Sequence, residues 1–448
     1  MKILILNGSP RGDNSITLFH MKYLEKKFPE HDYETINVAA KIKSIERDFS
    51  SAKKSLEQAD LIVFCYPVYT FVIPAQLHRF IELVKENKVR IAGKYATQVT
   101  TSKHFYDITA HRFIEENCAD MGLKYVRGLS ADMEDIRSKK GRSEAVDFFK
   151  FVLWSINGGL CDEPHMITVK GKTYKASTAV KNSSVKTNKS IALVTDYDSE
   201  DKSADKLRSM IDRFVLRFPG EVNVINIREF PFIGGCLGCF NCATDGTCIY
   251  KDGFDEFLRK NINGADAVVY AYSIKDHSMG YRFKLFDDRQ FCNGHRTVTM
   301  GKPVAYLVDG ILSIETNLMT IMEAKAQVGG NYLAGIVSNE NDADESIDNM
   351  VKKLYYAMKN RYNPPANFYG VGGMKIFRDL IYQMQGLMKE DHRFYKEHGF
   401  YDDYPQKNIG RIIGMYLVSA MMNNKKLSKK VSMTDGMMTM YKKVLEED

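Results

Sequence analysis

Four of the eight cysteines fall within thirteen residues, as Cys236-Leu237-Gly238-Cys239-Phe240-Asn241-Cys242 followed by Cys248. The spacing is C-x2-C-x2-C-x5-C. Two-residue gaps let successive thiolates converge on one metal centre, and Gly238 and Gly246 permit the tight turns this needs. Compact runs of this kind hold [4Fe–4S] clusters. Structural zinc is an alternative, although it more often uses two separated C-x2-C knuckles. A loop of metal-free thiols is a third. The other cysteines, Cys65, Cys118, Cys161 and Cys292, have no spaced partners and read as buried or incidental. None of the ten histidines is spaced from another as a metal ligand.

Two loops near the N-terminus carry a different chemistry. The first reads Asn7-Gly8-Ser9-Pro10-Arg11-Gly12-Asp13-Asn14-Ser15-Ile16-Thr17. Small hydroxyl and amide residues between a strand and a helix aim polar groups at the positive end of the helix, an arrangement suited to a phosphate monoester. The plainer alternative is an N-capped turn with Asn14 or Ser15 as the cap. The loop lacks G-x-x-x-x-G-K-[ST] and G-x-G-x-x-G, so neither an ATP P-loop nor a Rossmann fingerprint fits. The second loop, Pro67-Val68-Tyr69-Thr70-Phe71-Val72-Ile73-Pro74, is apolar and aromatic. Pro67 stiffens its backbone and Tyr69 can cover a flat ring.

The elements that position these loops occur twice. KILIL at 2–6 and SIALV at 190–194 open the two copies. YETINV at 33–38 matches VNVINI at 222–227. Ala59-Asp60 and Ala265-Asp266 each lead into an apolar run. Gly93-Lys94 and Gly301-Lys302 each precede another strand, and Tyr125-Val126-Arg127-Gly128 matches Tyr332-Leu333-Ala334-Gly335. The second copy is longer between its first and third strands, and the extra length holds the cysteine cluster. Apolar strands alternating with helices specify parallel sheets covered on both sides. The expected fold is α/β, with two tandem flavodoxin-like, doubly wound five-stranded sheets of order 2-1-3-4-5 and a C-terminal helical tail. The boundaries are 1–160, a Lys-rich linker with a hairpin pattern at 161–189, a second copy at 190–362, and a Met- and aromatic-rich tail at 363–448 that reads as a lid or docking segment. Ligands in such sheets sit beyond strands 1 and 3, which is where both loops lie.

The pairing of G-S-P-R-x-x-N-S with P-V-Y-x-x-x-x-P-x-x-L-x-x-F resembles the flavodoxin-fold NAD(P)H-dependent FMN reductases. With the cysteine run, the chain resembles the iron–sulfur flavoproteins of that group. The resemblance implies that Ser9, Arg11, Asn14, Ser15 and Thr17 hold the FMN phosphate. It implies that Pro67, Val68, Tyr69 and Thr70 contact the isoalloxazine, with Thr101, Ser102 and His104 in a third flavin loop. Cys236, Cys239, Cys242 and Cys248 would be the ligands of a [4Fe–4S] cluster. In the related homo-oligomers one subunit's loops approach another's flavin, so a tandem chain can form that interface within itself, as a pseudo-dimer; homo-oligomers remain compatible with it. The implied activity is an FMN-dependent oxidoreductase drawing electrons from NAD(P)H or a ferredoxin. An FMN electron carrier or redox sensor, and a zinc- or thiol-stabilised interaction protein, are the alternatives. No Ser–His–Asp or paired-carboxylate site is recognisable.

The second copy departs from the pattern. Its first loop, Thr195-Asp196-Tyr197-Asp198-Ser199-Glu200-Asp201, carries four acids and no glycine, so it repels a phosphate dianion. Its third-strand loop has lost Pro-Val-Tyr. One FMN per chain is expected, in the first copy. Composition excludes other classes. The formal charge of +7, from 63 basic and 56 acidic residues, invites a nucleic-acid reading. Six of those lysines (Lys170, Lys172, Lys175, Lys181, Lys186 and Lys189) lie in the linker, so no basic face remains to track phosphates. No signal peptide or bilayer-spanning run is seen, and a cytoplasmic protein that binds neither nucleic acid nor membrane is expected.

Overall fold

Successive residues of the first strand point to opposite faces, and both faces are apolar. In β1 (Lys2–Asn7), Ile3 and Ile5 enter one core and Leu4 and Leu6 another. In β7 (Ser190–Thr195), Ile191 and Leu193 are separated from Ala192 and Val194 in the same way. A strand with two apolar faces must be covered by helices on both sides. Leu4, Leu6, Ala192 and Val194 belong to one continuous core, so the two copies pack through their inner faces.

The computed structural model describes residues 1–162, 171–180 and 186–423. In the first sheet β2 (Asp32–Ile36), β1, β3 (Leu61–Pro67), β4 (Tyr95–Ser102) and β5 (Lys124–Tyr125) run parallel in that order. The fifth strand, expected through Gly128, is interrupted: β6 (Leu129–Asp132) resumes the pairing with β4. A Cβ at Gly128 would lie 2.4 Å from the Gln98 carbonyl oxygen, so the chain swings past β4 there on a glycine. The second sheet has the order β8 (Glu221–Asn226), β7, β9 (Ala267–Ser273), β10 (Pro303–Asp309), β11 (Tyr332–Ser338), again 2-1-3-4-5.

The residues that mark the duplication do the same work in both copies. Asp60 accepts from Lys2 N at 2.7 Å and Asp266 from Ser190 N at 3.0 Å. Lys94 Nζ donates to the Ala59 carbonyl at 2.7 Å and Lys302 Nζ to that of Ala265 at 2.8 Å. Each thereby ties one strand to the start of its neighbour.

The copies meet through the helices that follow β3 and β9. Asp288 accepts from Ala75 N at 2.8 Å, at the start of helix Ala75–Glu86. Glu82 accepts from Tyr281 N at 2.9 Å, at the start of helix Gly280–Arg289. Each copy's carboxylate caps the other copy's helix, a reciprocal arrangement with approximate two-fold symmetry.

Part of the expected linker hairpin, Ile167 to Lys170, lies outside the described residues. The segment 171–180 forms no strand and follows the second copy, with Tyr174 N bonded to Asn339 O at 2.9 Å and Ala176 N to Ser209 Oγ at 3.0 Å. Met1–His392 form one unit and Arg393–Asp448 another. Helix Phe368–Gln383 of the expected tail belongs to the first unit, and its Phe377 stacks on Phe105 at 4.2 Å between ring centroids. In the second unit, helix Ile409–Asn423 exposes Ile413, Tyr416 and Leu417. Among the described residues no helix is long and apolar enough to cross a membrane.

An ion-pair group also joins the copies. His277 lies 3.0 Å from Glu315 and 3.1 Å from Asp120 of the first copy. Burial alone would lower the His277 pKa, but bonds to the two carboxylates outweigh it and raise it to about 10. Burial opposes ionisation of Asp120 too, but bonds from His277 and Lys85 bring it to about 2. The raised imidazole stabilises the fold fully below its unfolded value of 6.5, and that contribution is lost as pH rises through about 10. The lowered carboxyl contributes above 3.8 and is lost as pH falls through about 2. His277→Gln should therefore lower the melting temperature most between pH 4 and 6.5, with the difference from wild type closing towards pH 10. A deficit that does not change with pH would contradict this assignment.

Candidate functional site

β1 ends at Asn7, whose buried side chain shapes the loop that follows. Its Nδ2 donates to Gly12 O at 2.9 Å and Asn37 Oδ1 at 2.8 Å, and its Oδ1 accepts from Ser9 N at 3.2 Å. Gly12 takes a φ of 55°. Ser15 caps helix Ile16–Lys27, its Oγ accepting from Leu18 N at 3.3 Å. The cap and the expected phosphate loop are therefore the same structure. Ser9, Ser15 and Thr17 are buried at that helix N-terminus, and the Thr17 and Thr101 hydroxyls share a hydrogen bond of 2.5 Å.

The loop after β3 is a tight turn. Tyr69 N bonds to Val72 O at 2.9 Å and Val72 N to Tyr69 O at 3.0 Å. Between them Thr70 has φ 41° and Phe71 φ 72°. Left-handed backbone costs a β-branched or aromatic residue about 1–3 kcal/mol, so this turn persists only where its surroundings hold it. The surroundings come from the second copy. Lys284 Nζ donates to Tyr69 O at 3.0 Å and Thr70 Oγ1 at 2.9 Å, and Thr70 also bonds to Asp288.

These loops and the cysteine run line one cleft. Ten of the twelve residues expected around a flavin are on its wall: Ser9, Arg11, Ser15, Thr17, Pro67, Val68, Tyr69, Thr70, Thr101 and Ser102. Asn14 and His104 are not. Asn14 is exposed in a short turn, and His104 is half-exposed with Nδ1 2.9 Å from Asp107. Cys236, Cys239, Cys242 and Cys248 all line the same cleft from the second copy, and Ile376, Phe377 and Leu380 of the tail helix close one side.

The cysteine loop is seated by its backbone. Arg289 donates to Gly234 O at 2.8 Å, Tyr250 to Gly235 O at 3.1 Å, Gln76 to Cys236 O at 3.4 Å and Arg296 to Cys242 O at 3.1 Å. Arg11, expected at the phosphate, donates to Gly238 O. Small residues sit where the copies touch, and at Gly238 the backbone also favours glycine. A Cβ at Gly235 would stand 2.7 Å from Gln76 Nε2, and one at Gly238 only 2.0 Å from Tyr69 Oη, with φ already at +60°. Burial raises the Cys236 thiol and pushes Cys242 up to about 11, so both are neutral near pH 7 unless a cation binds. Among the described residues, the metal-binding types whose ligand atoms come mutually within 4.8 Å are His78, Glu82 and Asp276, so no three of the cysteine sulfurs draw that close. Four thiolates on one tetrahedral zinc stand about 3.8 Å apart, from Zn–S bonds of about 2.3 Å. The all-sulfur donor set is spread more widely than that.

Sequence spacing missed several wall residues. Cys292, expected to be buried or incidental, is buried, and it lines the same cleft in electrostatic reach of Cys248 and Cys242. His295 also lines the cleft; its Nδ1 lies 2.8 Å from Asp391, which holds Arg296 at 3.0 Å. In the second copy, Asp196 stands after the first strand where the first copy has its phosphate loop. Burial raises its carboxyl to about 7.

Residues 1–134 match the family model described as flavodoxin-like fold. The iron–sulfur flavoprotein of Archaeoglobus fulgidus is 28% identical over 179 residues, which is 38% of this chain and 80% of that protein. An iron–sulfur flavoprotein of Clostridioides difficile is 24% identical over 170 residues, 34% of this chain and 75% of that protein. An FMN-dependent NADH-azoreductase from Bacillus anthracis, solved with FMN, is 14% identical with a TM-score of 0.27, covering 35% of this chain and 99% of its own.

The contact between Gly238 and Tyr69 gives a direct test of how the loop is seated. Gly238→Ala should destabilise the protein by about 1–3 kcal/mol, from left-handed backbone strain plus the clash. Tyr69→Phe removes the clashing oxygen and should recover only the clash part, read as a coupling energy in a double-mutant cycle of thermal unfolding. Simple additivity would show that the two residues do not meet.

Proposed function

We propose that this chain, whose first 134 residues belong to the flavodoxin-like fold family, is an FMN-dependent oxidoreductase of the iron–sulfur flavoprotein type. It binds one FMN, in the first copy, and one [4Fe–4S] cluster at Cys236, Cys239, Cys242 and Cys248 of the second. The observation that carries the reading is the shared cleft: the flavin-type loops and all four cysteines form its wall.

The residues fit both groups. Ser9, Ser15 and Thr17 offer buried hydroxyls at a helix N-terminus for a phosphate. Among the described residues, the N–H of Thr70, which lines the cleft beside Tyr69, has no partner in the chain, which leaves a donor for a heterocycle edge. FMN exchanges electrons in pairs or singly, and an iron–sulfur cluster moves them one at a time. The chain orients the two and shields them. Tyr69 reaches the cysteine loop at Gly238, so the flavin loop and the cluster loop are in contact. Arg11, Arg289 and Arg296 all hold carbonyls of the cysteine loop, and of these Arg289 and Arg296 are paired with Asp252 and Asp391. Phe377 and Leu380 exclude water on the tail side. NAD(P)H or a reduced ferredoxin is the proposed donor, in a cytoplasmic setting.

Protein purified without oxygen should carry one FMN, with iron and sulfide near four each per chain and little zinc. Zinc without sulfide would replace the cluster by a structural metal. Ser9→Ala with Ser15→Ala should weaken FMN retention at least tenfold, since each removes a hydrogen bond to a charged group worth about 1.5–3 kcal/mol. Unchanged affinity would refute the phosphate assignment. Bleaching of the flavin by NADH or NADPH, compared with reduced ferredoxin, identifies the donor; no bleaching by either nicotinamide would leave a carrier rather than an NAD(P)H enzyme.

A further inference from the structure

From the third strand through the helix that follows it, equivalent residues of the two copies keep the offset that separates Asp60 from Asp266. The turn Tyr69–Val72 of the first copy corresponds to Lys275–Ser278 of the second. Both close on themselves with two backbone bonds, and both hold their central residues at positive φ, Thr70 and Phe71 in one and Asp276 and His277 in the other. The capping carboxylates Asp288 and Glu82 correspond as well. The interface is thus two copies of one device, and differences between the halves are informative.

The main difference is at Lys284 and its counterpart His78. Both are fully buried. Lys284 is held by Asp288 and grips the flavin-side turn at Tyr69 O and Thr70 Oγ1. His78 sits among Glu82 and Asp276, and neither ring nitrogen has a hydrogen-bond partner. The His78 trio is the two-fold counterpart of Lys284, Asp288 and Thr70. Glu82 is already paired with Arg79 and Lys275, and Asp276 with Lys85, so a dication there has little charge left to neutralise. A charged donor therefore lies under the one turn that faces the cleft, and the turn without a flavin-type sequence has a weaker group.

We infer that Lys284, supplied by the second copy, is the positioning residue for the flavin in the first. It fixes the strained Tyr69–Val72 turn, and through it Tyr69 and Thr70 on the cleft wall, before any ligand binds. The Lys284–Asp288 pair also keeps the buried charge under the flavin balanced. The degenerate second copy is retained because it carries this pair as well as the cysteines. This inference rests on the FMN reading above.

The test uses the full chain loaded with FMN. Lys284→Met should raise the FMN dissociation constant about tenfold or more. It should also lower the flavin midpoint potential, because the Asp288 carboxylate is left unbalanced. Adding Asp288→Asn should return the potential towards wild type while FMN stays weakly held, a separation that a general loss of stability does not produce. Thr70→Val, which removes only the hydroxyl partner, serves if Lys284→Met does not fold, and should also weaken FMN. His78→Gln disturbs the equivalent turn and should leave FMN affinity and potential unchanged. Wild-type affinity and potential in Lys284→Met, or in Thr70→Val if that variant must be used, overturns the inference; so does an equal effect of His78→Gln. Wild-type protein that takes up no FMN instead sinks the flavin reading, and this inference with it.

Discussion

The structure depends on an exchange of carboxylates between its two halves. Asp288 of the second copy caps the helix after β3, and Glu82 of the first copy caps the helix after β9. Both acids are buried, so each would be costly to leave unpaired, and each accepts from the helix N-terminus of the other half as well as from a cation of its own half, Lys284 for Asp288 and Arg79 for Glu82. That reciprocity fixes the register of the two copies. With the register fixed, the cysteine loop falls across the mouth of the first copy's loops, and Tyr69 and Gln76 pack against Gly238 and Gly235. The cleft between these loops and the cysteine run is thus formed within one chain.

Duplication also explains how the copies divided their tasks. The first kept a hydroxyl-rich loop after its first strand, whereas the second placed an acid, the half-buried Asp196, at that point. The second gained the cysteine insertion and the arginines that hold its carbonyls, Arg289 and Arg296. Neither half has the whole set of groups around the cleft. The tail helix Phe368–Gln383 adds the last wall, held close because Gly370 and Gly373 let it approach helix Thr316–Val328.

Much of this was legible in the residues, for physical reasons. Strand order followed from apolar runs and from repeated Ala-Asp and Gly-Lys pairs, which act locally by tying one strand to the next. The cysteine run and the Ser-rich loop were visible because their chemistry is contiguous in sequence. Cys292 and His295 were not, nor was Asp391 behind His295, because tertiary packing alone brings them together and they carry no spacing signal. His104 matched a flavin loop by position, yet its ring turns to Asp107, the first residue of the next helix. The pairing of Lys284 with the Tyr69–Val72 turn joins two distant segments, so only the folded interface reveals it.

The central claim is that one flavin and the cysteine-bound metal face each other across a single intramolecular cleft. Diffraction from crystals of anaerobically prepared, FMN-loaded protein, with data collected at the iron absorption edge, tests it most directly. The account predicts one FMN per chain, with its phosphate at Ser9, Ser15 and Thr17. It also predicts an iron signal at Cys236, Cys239, Cys242 and Cys248 on the opposite wall. Flavin bound at the strand ends of the second copy, or iron on a cysteine loop turned away from the first copy, would contradict it.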